Sequence, residues 1–275
     1  MDSSNLQHYT INDLLHVMSR LRHPDLGCPW DLKQNFKSIT ASTLEESYEL
    51  VDAIEREDMP HVAEELGDLL FQVIFYSQLG KEAGDFDFDS VTHTLVEKLI
   101  RRHPHVFAGG DIDGVVQGTA PIAEVSDTWE AIKTEERREK SHHGILDDVP
   151  HSLPSLSRAQ KLQKRAAGIG FDWQELSEVI DNLEAEIQEL KQALEQQQVA
   201  AIADEMGDVF FSAVNVARHL GLDSEKTLRQ SSRKFENRFR QMEKEADSEG
   251  VALSEQSSEQ LEQRWHRVKS TKGNL

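Results

Sequence analysis

Cysteine is nearly missing from this chain: Cys28 stands alone among 275 residues. No disulfide can form within it, and twelve scattered histidines beside one thiol provide no zinc-ligand spacing. That usage suits a reducing compartment. Positive charge is also short, with 30 Lys and Arg against 50 Asp and Glu, and the formal charge of -20 repels nucleic-acid backbone and anionic lipid from most of the surface. Neither nucleic acid nor membrane is expected as a partner, and a polyanionic substrate needs local basic side chains or a bound cation. No apolar run approaches the ~20 residues that cross a bilayer. Met1 to Thr10 lacks the basic and then apolar composition of a signal peptide, so the expected location is the cytoplasm. The phosphate-binding pattern G-x-x-x-x-G-K-[ST] is absent, and Gly168-x-Gly170 is followed by Phe171, Asp172 and Trp173 rather than a third glycine, which excludes P-loop and Rossmann chemistry. A di-iron bundle would want two E-x-x-H units, and only Glu139-x-x-His142 is found. Strand-like alternation is scarce.

What is present is a core-forming composition, 37% hydrophobic, and an internal repeat. Glu46, Glu49, Glu65, Gly67 and Asp68 recur as Glu186, Glu189, Glu205, Gly207 and Asp208, each 140 positions later. Lys98, Arg102, Trp129 and Lys133 recur as Lys234, Arg238, Trp265 and Lys269, each 136 positions later. Gly27-x-x-Trp30 precedes the first acidic segment as Gly170-x-x-Trp173 precedes the second. Chance does not preserve such an order. The reading is an all-α protein of two tandem helical-bundle domains, 1–140 and 155–275, with 141–154 as a connector. The segment from Thr134 to Pro154, rich in charge, paired histidines and prolines, reads as unburied. Ala108 to Pro121, with four glycines, reads as a mobile loop.

Apolar residues fall at helical spacing. Ile11, Leu14, Leu15, Met18 and Leu21 share one face, as do Leu183, Ile187, Leu190 and Leu194. Thr43 and Glu46 have capping-box spacing, and Pro60 after Asp58 stands where a helix begins. Leu44, Tyr48, Val51 and Ile54 take one side of a helix while Glu45, Glu46, Glu49 and Asp52 gather on another. In the next helix Glu65 and Asp68 lie one turn apart, ahead of Leu69, Leu70, Phe71, Val73, Ile74, Phe75 and Tyr76. A helix apolar on so many sides is expected to be buried. Carboxylates entering a packed core are costly, and crowding them drives protonation upward. A divalent cation resolves the conflict, and an all-carboxylate set suits Mg²⁺ or Mn²⁺ far better than zinc.

These residues resemble the MazG-type nucleoside triphosphate pyrophosphohydrolases of the all-α NTP pyrophosphatase group. The family's E-E-x-x-E and E-x-x-D stand as Glu45-Glu46-x-x-Glu49 with Glu65-x-x-Asp68, and as Glu186-x-x-Glu189 with Glu205-x-x-Asp208. Gly27-Cys28-Pro29-Trp30-Asp31, Arg102 to Phe107, and Gly170-Phe171-Asp172-Trp173 are also family-like. The second copy departs at Ala185, where the motif has its first Glu. The resemblance implies cleavage between the α and β phosphorus atoms of a nucleoside triphosphate, with Mg²⁺ held by Glu46, Glu49, Glu65 and Asp68 or by Glu186, Glu189, Glu205 and Asp208. It also implies a homodimer. The second tetrad is expected to be the main catalyst, and the general base is narrowed no further than Glu46 or Glu186.

Lys98 with Arg102, and Lys234 with Arg238, share a helical face suited to a phosphate tail. Trp129 with Lys133, and Trp265 with Lys269, offer an indole to a base and an ammonium to phosphate, although packing explains the indoles equally well. His103, His105, His142 and His143 read as loop or capping residues. Two other readings remain: a helical dimerisation or regulatory module without turnover, and a hydrolase of another pyrophosphate-containing nucleotide.

Overall fold

Helix dominates the computed structural model, which describes residues 8–116, 121, 125, 128, 129, 132, 136 and 144–270. Among them the only other regular pairing is an isolated bridge between Phe107 and Val115. The chain divides into two compact units, Met1–Glu135 and Glu136–Leu275, a division that assigns the connector to the second.

In the first unit, α1 (Ile11–Leu21) opens on a capping box in which Thr10 and Asp13 satisfy each other's backbone N–H groups. Its apolar face delivers Met18, with Leu14 and Leu15 behind it, to a core of Ile39, Ile74, Phe75 and Leu79. The second helix, α2 (Thr40–Glu55), starts earlier than the Thr43–Glu46 spacing predicts. Asn35 Oδ1 already turns the chain by accepting from the N–H groups of Lys37 and Ser38. Thr43 is therefore not a cap. Its hydroxyl returns 3.0 Å to the Ile39 carbonyl and sits 3.0 Å from Tyr76 Oη. The third helix, α3 (Met59–Ala83), begins as expected, with Asp58 capping and Pro60 in the first turn. It stops at Gly84, whose φ of 78° is open to glycine at little cost. The fourth, α4 (Phe88–Arg102), ends at His103 because Pro104 disfavours helix in the residue before it. The His103 ring then caps, its Nδ1 lying 2.6 Å from the Leu99 carbonyl.

The burial expected for α3 holds on one side only. Ile74 and Phe75 are fully enclosed, yet Leu66, Leu70 and Val73, one helical stripe, remain 51%, 39% and 40% exposed. Within the unit, α1, α2 and α4 reach only part of its circumference. Downstream, Ala108–Gly110 form a short 3₁₀ turn with Gly109 and Gly110 at positive φ, and residues 117–120 lie outside the described set.

The second unit contains α5 (Ser155–Ala167), α6 (Leu176–Glu195), α7 (Val199–His219), α8 (Ser224–Glu249) and α9 (Ser258–Ser270). Its α6–α7 hairpin repeats α2–α3 at the 140-residue displacement: Glu55 and Glu195 end the first helices, Met59 and Val199 open the second, and Glu57 and Gln197 turn between them at φ 58° and 54°. On α5, Gln160 and Gln163 reach the Leu222 and Phe211 carbonyls, at 2.7 and 2.8 Å, and fasten the hairpin. Ser224 of α8 donates back to Gln160. Buried Arg264 on α9 grips Glu249 at the end of α8 through two contacts of 3.1 and 2.6 Å. The connector is not wholly unburied as its composition suggests: Val149 is 4% exposed, and Asp148 pairs with Arg165 at 2.7 Å. Val149, an apolar residue five before Pro154 at the start of α5, had somewhere to pack. Glu139, His142 and His143 lie outside the described residues.

Candidate active site

Helix geometry places residues three apart on one face, so E-x-x-E in the first helix of each hairpin meets E-x-x-D in the second. In the first unit Glu46, Glu49 and Glu65 each offer an oxygen within 4.8 Å of the others. In the second unit the converging set is Glu186, Glu205 and Asp208. The remaining members, Asp68 and Glu189, are exposed beside these triads and near enough for their charge to be felt, Asp68 by Glu46 and Glu189 by both Glu186 and Glu205. Each copy thus draws on three of four, with a different member outside. Glu65 is buried, and its Oε2 has no hydrogen-bond partner among the described residues. An orphaned carboxylate oxygen in an all-oxygen cluster fits a hard divalent cation.

Burial first, and then repulsion among the acids, pushes the carboxyls of Glu46, Glu186 and Glu205 above the usual range. A folded carboxyl with a raised pKa holds its proton more tightly than the unfolded chain does. Its stabilising contribution is therefore full below the ordinary pKa and fades as pH rises through the folded value. A divalent cation removes that penalty where the carboxyls are ionised. Adding Mg²⁺ to cation-free protein is expected to raise Tm more at about pH 7.5 than at about pH 5. Equal rises by scanning calorimetry would remove the assignment.

The basic residues stand on other elements. Lys98 and Arg102 lie at the end of α4, Lys234 and Arg238 within α8, and Lys269 near the end of α9. Both indoles pack against the basic helix of their own unit. Trp129 meets the His103 ring edge-on at 5.7 Å, while Trp265 lies 5.3 Å from Phe235 and 5.9 Å below the Arg238 guanidinium. Arg238 Nε is buried without a hydrogen-bond partner among the described residues. The two units differ in reach: α4 spans 15 residues and α8 spans 26, because the latter meets no proline. Lys133 lies outside the described residues.

The profile of the MazG nucleotide pyrophosphohydrolase domain matches residues 34–107 and 174–242, the two segments that contain the acidic hairpins. The nucleoside triphosphate pyrophosphohydrolase of Escherichia coli strain K12 is 47% identical over 261 residues, covering 94% of this chain and 97% of that one. The chain belongs to the MazG family. The nucleoside triphosphate pyrophosphohydrolase/pyrophosphatase MazG of Thermotoga maritima is 39% identical over 257 residues, covering 94% of each. A crystal structure of a mazG-related protein from Thermotoga maritima aligns with 45% of this chain and 99% of its own, at 23% identity and a TM-score of 0.38.

Three supports of this MazG site were missed by spacing arguments confined to acids and bases. Asn182, one turn before Glu186, donates to it at 3.4 Å and to Ser212 Oγ at 2.9 Å, which bridges α6 to α7. Asp172 of the Gly170–Trp173 segment is clamped by Arg218 at 2.9 and 2.5 Å and by His219 at 3.0 Å, and the guanidinium holds its carboxyl below the usual range. That fixes the base of a loop whose Phe171 and Trp173 stay exposed. The first copy builds the same junction with charges reversed: Arg22 grips Glu82 of α3 at 2.9 and 2.6 Å and the Asp31 carbonyl of the Trp30 segment. The third is His61, one turn before Glu65 and 2.5 Å from it. Its i,i+4 spacing to an acid was the available signal.

Proposed function

We propose that this MazG-family chain hydrolyses nucleoside triphosphates to the monophosphate and pyrophosphate, with Mg²⁺ or Mn²⁺ held by its acidic clusters. The carrying observation is the twofold convergence of three carboxylates on equivalent hairpins. In the second unit Glu186, Glu205 and Asp208, with Glu189 beside them, would hold the cation. When bound, it would neutralise phosphate charge and acidify a coordinated water. Lys234 and Arg238 would take the phosphate tail, and Trp265, kept in place by Phe235, would lie against the base. In the first unit the corresponding groups are Glu46, Glu49, Glu65 and Asp68 for the cation, and Lys98, Arg102, Trp129 and Lys133 for the nucleotide. The general base toward water is narrowed no further than Glu46 or Glu186.

Ion-exchange chromatography of the products tests this reading. Monophosphate and pyrophosphate in equal amounts are expected. Orthophosphate alone would mean attack at the terminal phosphorus, and nucleotide binding without product would favour a regulatory module.

A homodimer accounts for the apolar surface that each unit leaves open. Leu66, Leu70 and Val73 on α3, Phe210 and Phe211 on α7, and Phe235 and Phe239 on α8 are 39–57% exposed, more than isolated surface residues require. A second copy could cover these stripes and bring basic groups toward the acidic clusters. Light scattering is expected to return twice the 31.2 kDa chain mass at micromolar concentration. Monomer mass throughout would sink this. No described helix is long and apolar enough to cross a membrane. The cysteine usage fits a cytoplasmic setting.

A further inference from the structure

The turn between α2 and α3 carries a run of polar contacts that ends on one carboxylate of the first acidic cluster. Arg56 Nε pairs with Asp52 Oδ2 at 2.8 Å, Arg56 Nη2 lies 3.2 Å from His61 Nδ1, and His61 Nε2 lies 2.5 Å from Glu65 Oε1. A guanidinium can only donate. Nδ1 of His61 therefore accepts, the ring hydrogen is on Nε2, and that hydrogen goes to Glu65. One oxygen of this buried carboxylate is committed to the ring, and the other, Oε2, is left without a hydrogen-bond partner among the described residues. The orientation of Glu65 is set before any ligand arrives.

The second copy has no such device. At the 140-residue displacement Asp52, Arg56 and His61 become Gln192, Gln196 and Ala201, although the hairpin, its positive-φ turn residue and the acids are all retained. Alanine cannot orient Glu205, which accepts no hydrogen bond among the described residues. The difference lies in what supports the carboxylate, since both copies retain the carboxylate itself.

We propose that His61, with its tautomer fixed by Arg56, is a positioning residue that presents Glu65 to a divalent cation in the first cluster. The inference rests on the reading of that cluster as a cation site. Hydrogen bonds behind a ligand fix its rotamer, and their loss commonly costs 10–100-fold in metal affinity. Because Glu65 is enclosed, a rotation away from the cluster would also strand its charge in a poorly solvated position.

The experiment is Mn²⁺ titration of the full chain, followed by the electron paramagnetic resonance signal of the free ion, with the second cluster disabled by Glu205→Gln and Asp208→Asn. With His61 intact, saturable binding is expected. His61→Ala should raise Kd by about tenfold or more. His61→Gln, whose amide can donate across one helical turn, should recover most of the affinity, and Arg56→Met should weaken binding in the same direction but less. Melting in chelator checks that the variants fold alike, and Arg56→Met with His61→Gln decide the matter if His61→Ala does not fold. Equal Kd for His61 and His61→Ala, or His61→Gln no better than His61→Ala, overturns the positioning role. No saturable Mn²⁺ binding with His61 intact overturns the cation-site reading instead, and the inference with it.

Discussion

Glu189→Gln or Asp208→Asn is expected to lower turnover by about 10²–10³-fold, whereas Glu49→Gln or Asp68→Asn costs much less. Both copies retain four acids, a Lys-x-x-x-Arg pair and a Trp-x-x-x-Lys pair, so the acids alone do not rank them. The ranking comes from the basic helix. Arg233, Lys234, Arg238 and Arg240 lie within the uninterrupted 26-residue α8, and Arg238 is seated against Trp265. Lys98 and Arg102, the counterparts of Lys234 and Arg238, sit in the last turns of α4, which is cut short by Pro104. Phosphate-binding groups on a continuous helix are held nearer the geometry that the transition state needs. Steady-state pyrophosphate release from the four variants decides it. Equal losses would mean two working or coupled sites, and the reverse ranking would show that the fuller first motif, with Glu45, outweighs the basic helix. A first cluster that binds its cation firmly through His61 and turns over slowly is consistent with the expected ranking.

Chelation is expected to reduce turnover to below about 1%, with recovery on adding Mg²⁺ or Mn²⁺. Burial first, and then repulsion among the acids of each cluster, already raises the carboxyls of Glu46, Glu186 and Glu205. A triphosphate brought to such a surface without a cation would meet further negative charge from a chain of net charge -20. Coulomb repulsion and buried ionisation then oppose both binding and reaction. Undiminished release of pyrophosphate in EDTA, measured on protein stripped beforehand, would remove the metal from the mechanism.

Much of the architecture was legible because helix periodicity is a local property. Side chains three and four apart share a face whatever the helix packs against, so the acidic pairs, the basic pairs and the 140-residue repeat could be read without coordinates. The start of α2 was misread because Thr43 has the composition of a cap, while Asn35 and Ser38 had already turned the chain. Burial of α3 was overestimated for a different reason. Apolar composition states how much surface should leave water but does not say whether the covering group belongs to the same unit.

By itself the sequence determined that the protein is helical, duplicated and acid-bearing, since spacing on a 3.6-residue helix and a conserved order along the chain need no partner to be expressed. Only the tertiary structure decided which three of four acids converge, that Glu65 Oε2 is orphaned while Oε1 takes the His61 hydrogen, and that Arg22–Glu82 and Arg218–Asp172 build one junction with opposite polarity. Apart from the His61–Glu65 contact, which spans one turn of a single helix, those outcomes depend on distances between segments far apart in the chain. Hydrogen bonds and carboxylate repulsion act over a few ångströms, and a residue pattern carries no such distance until the helices have packed.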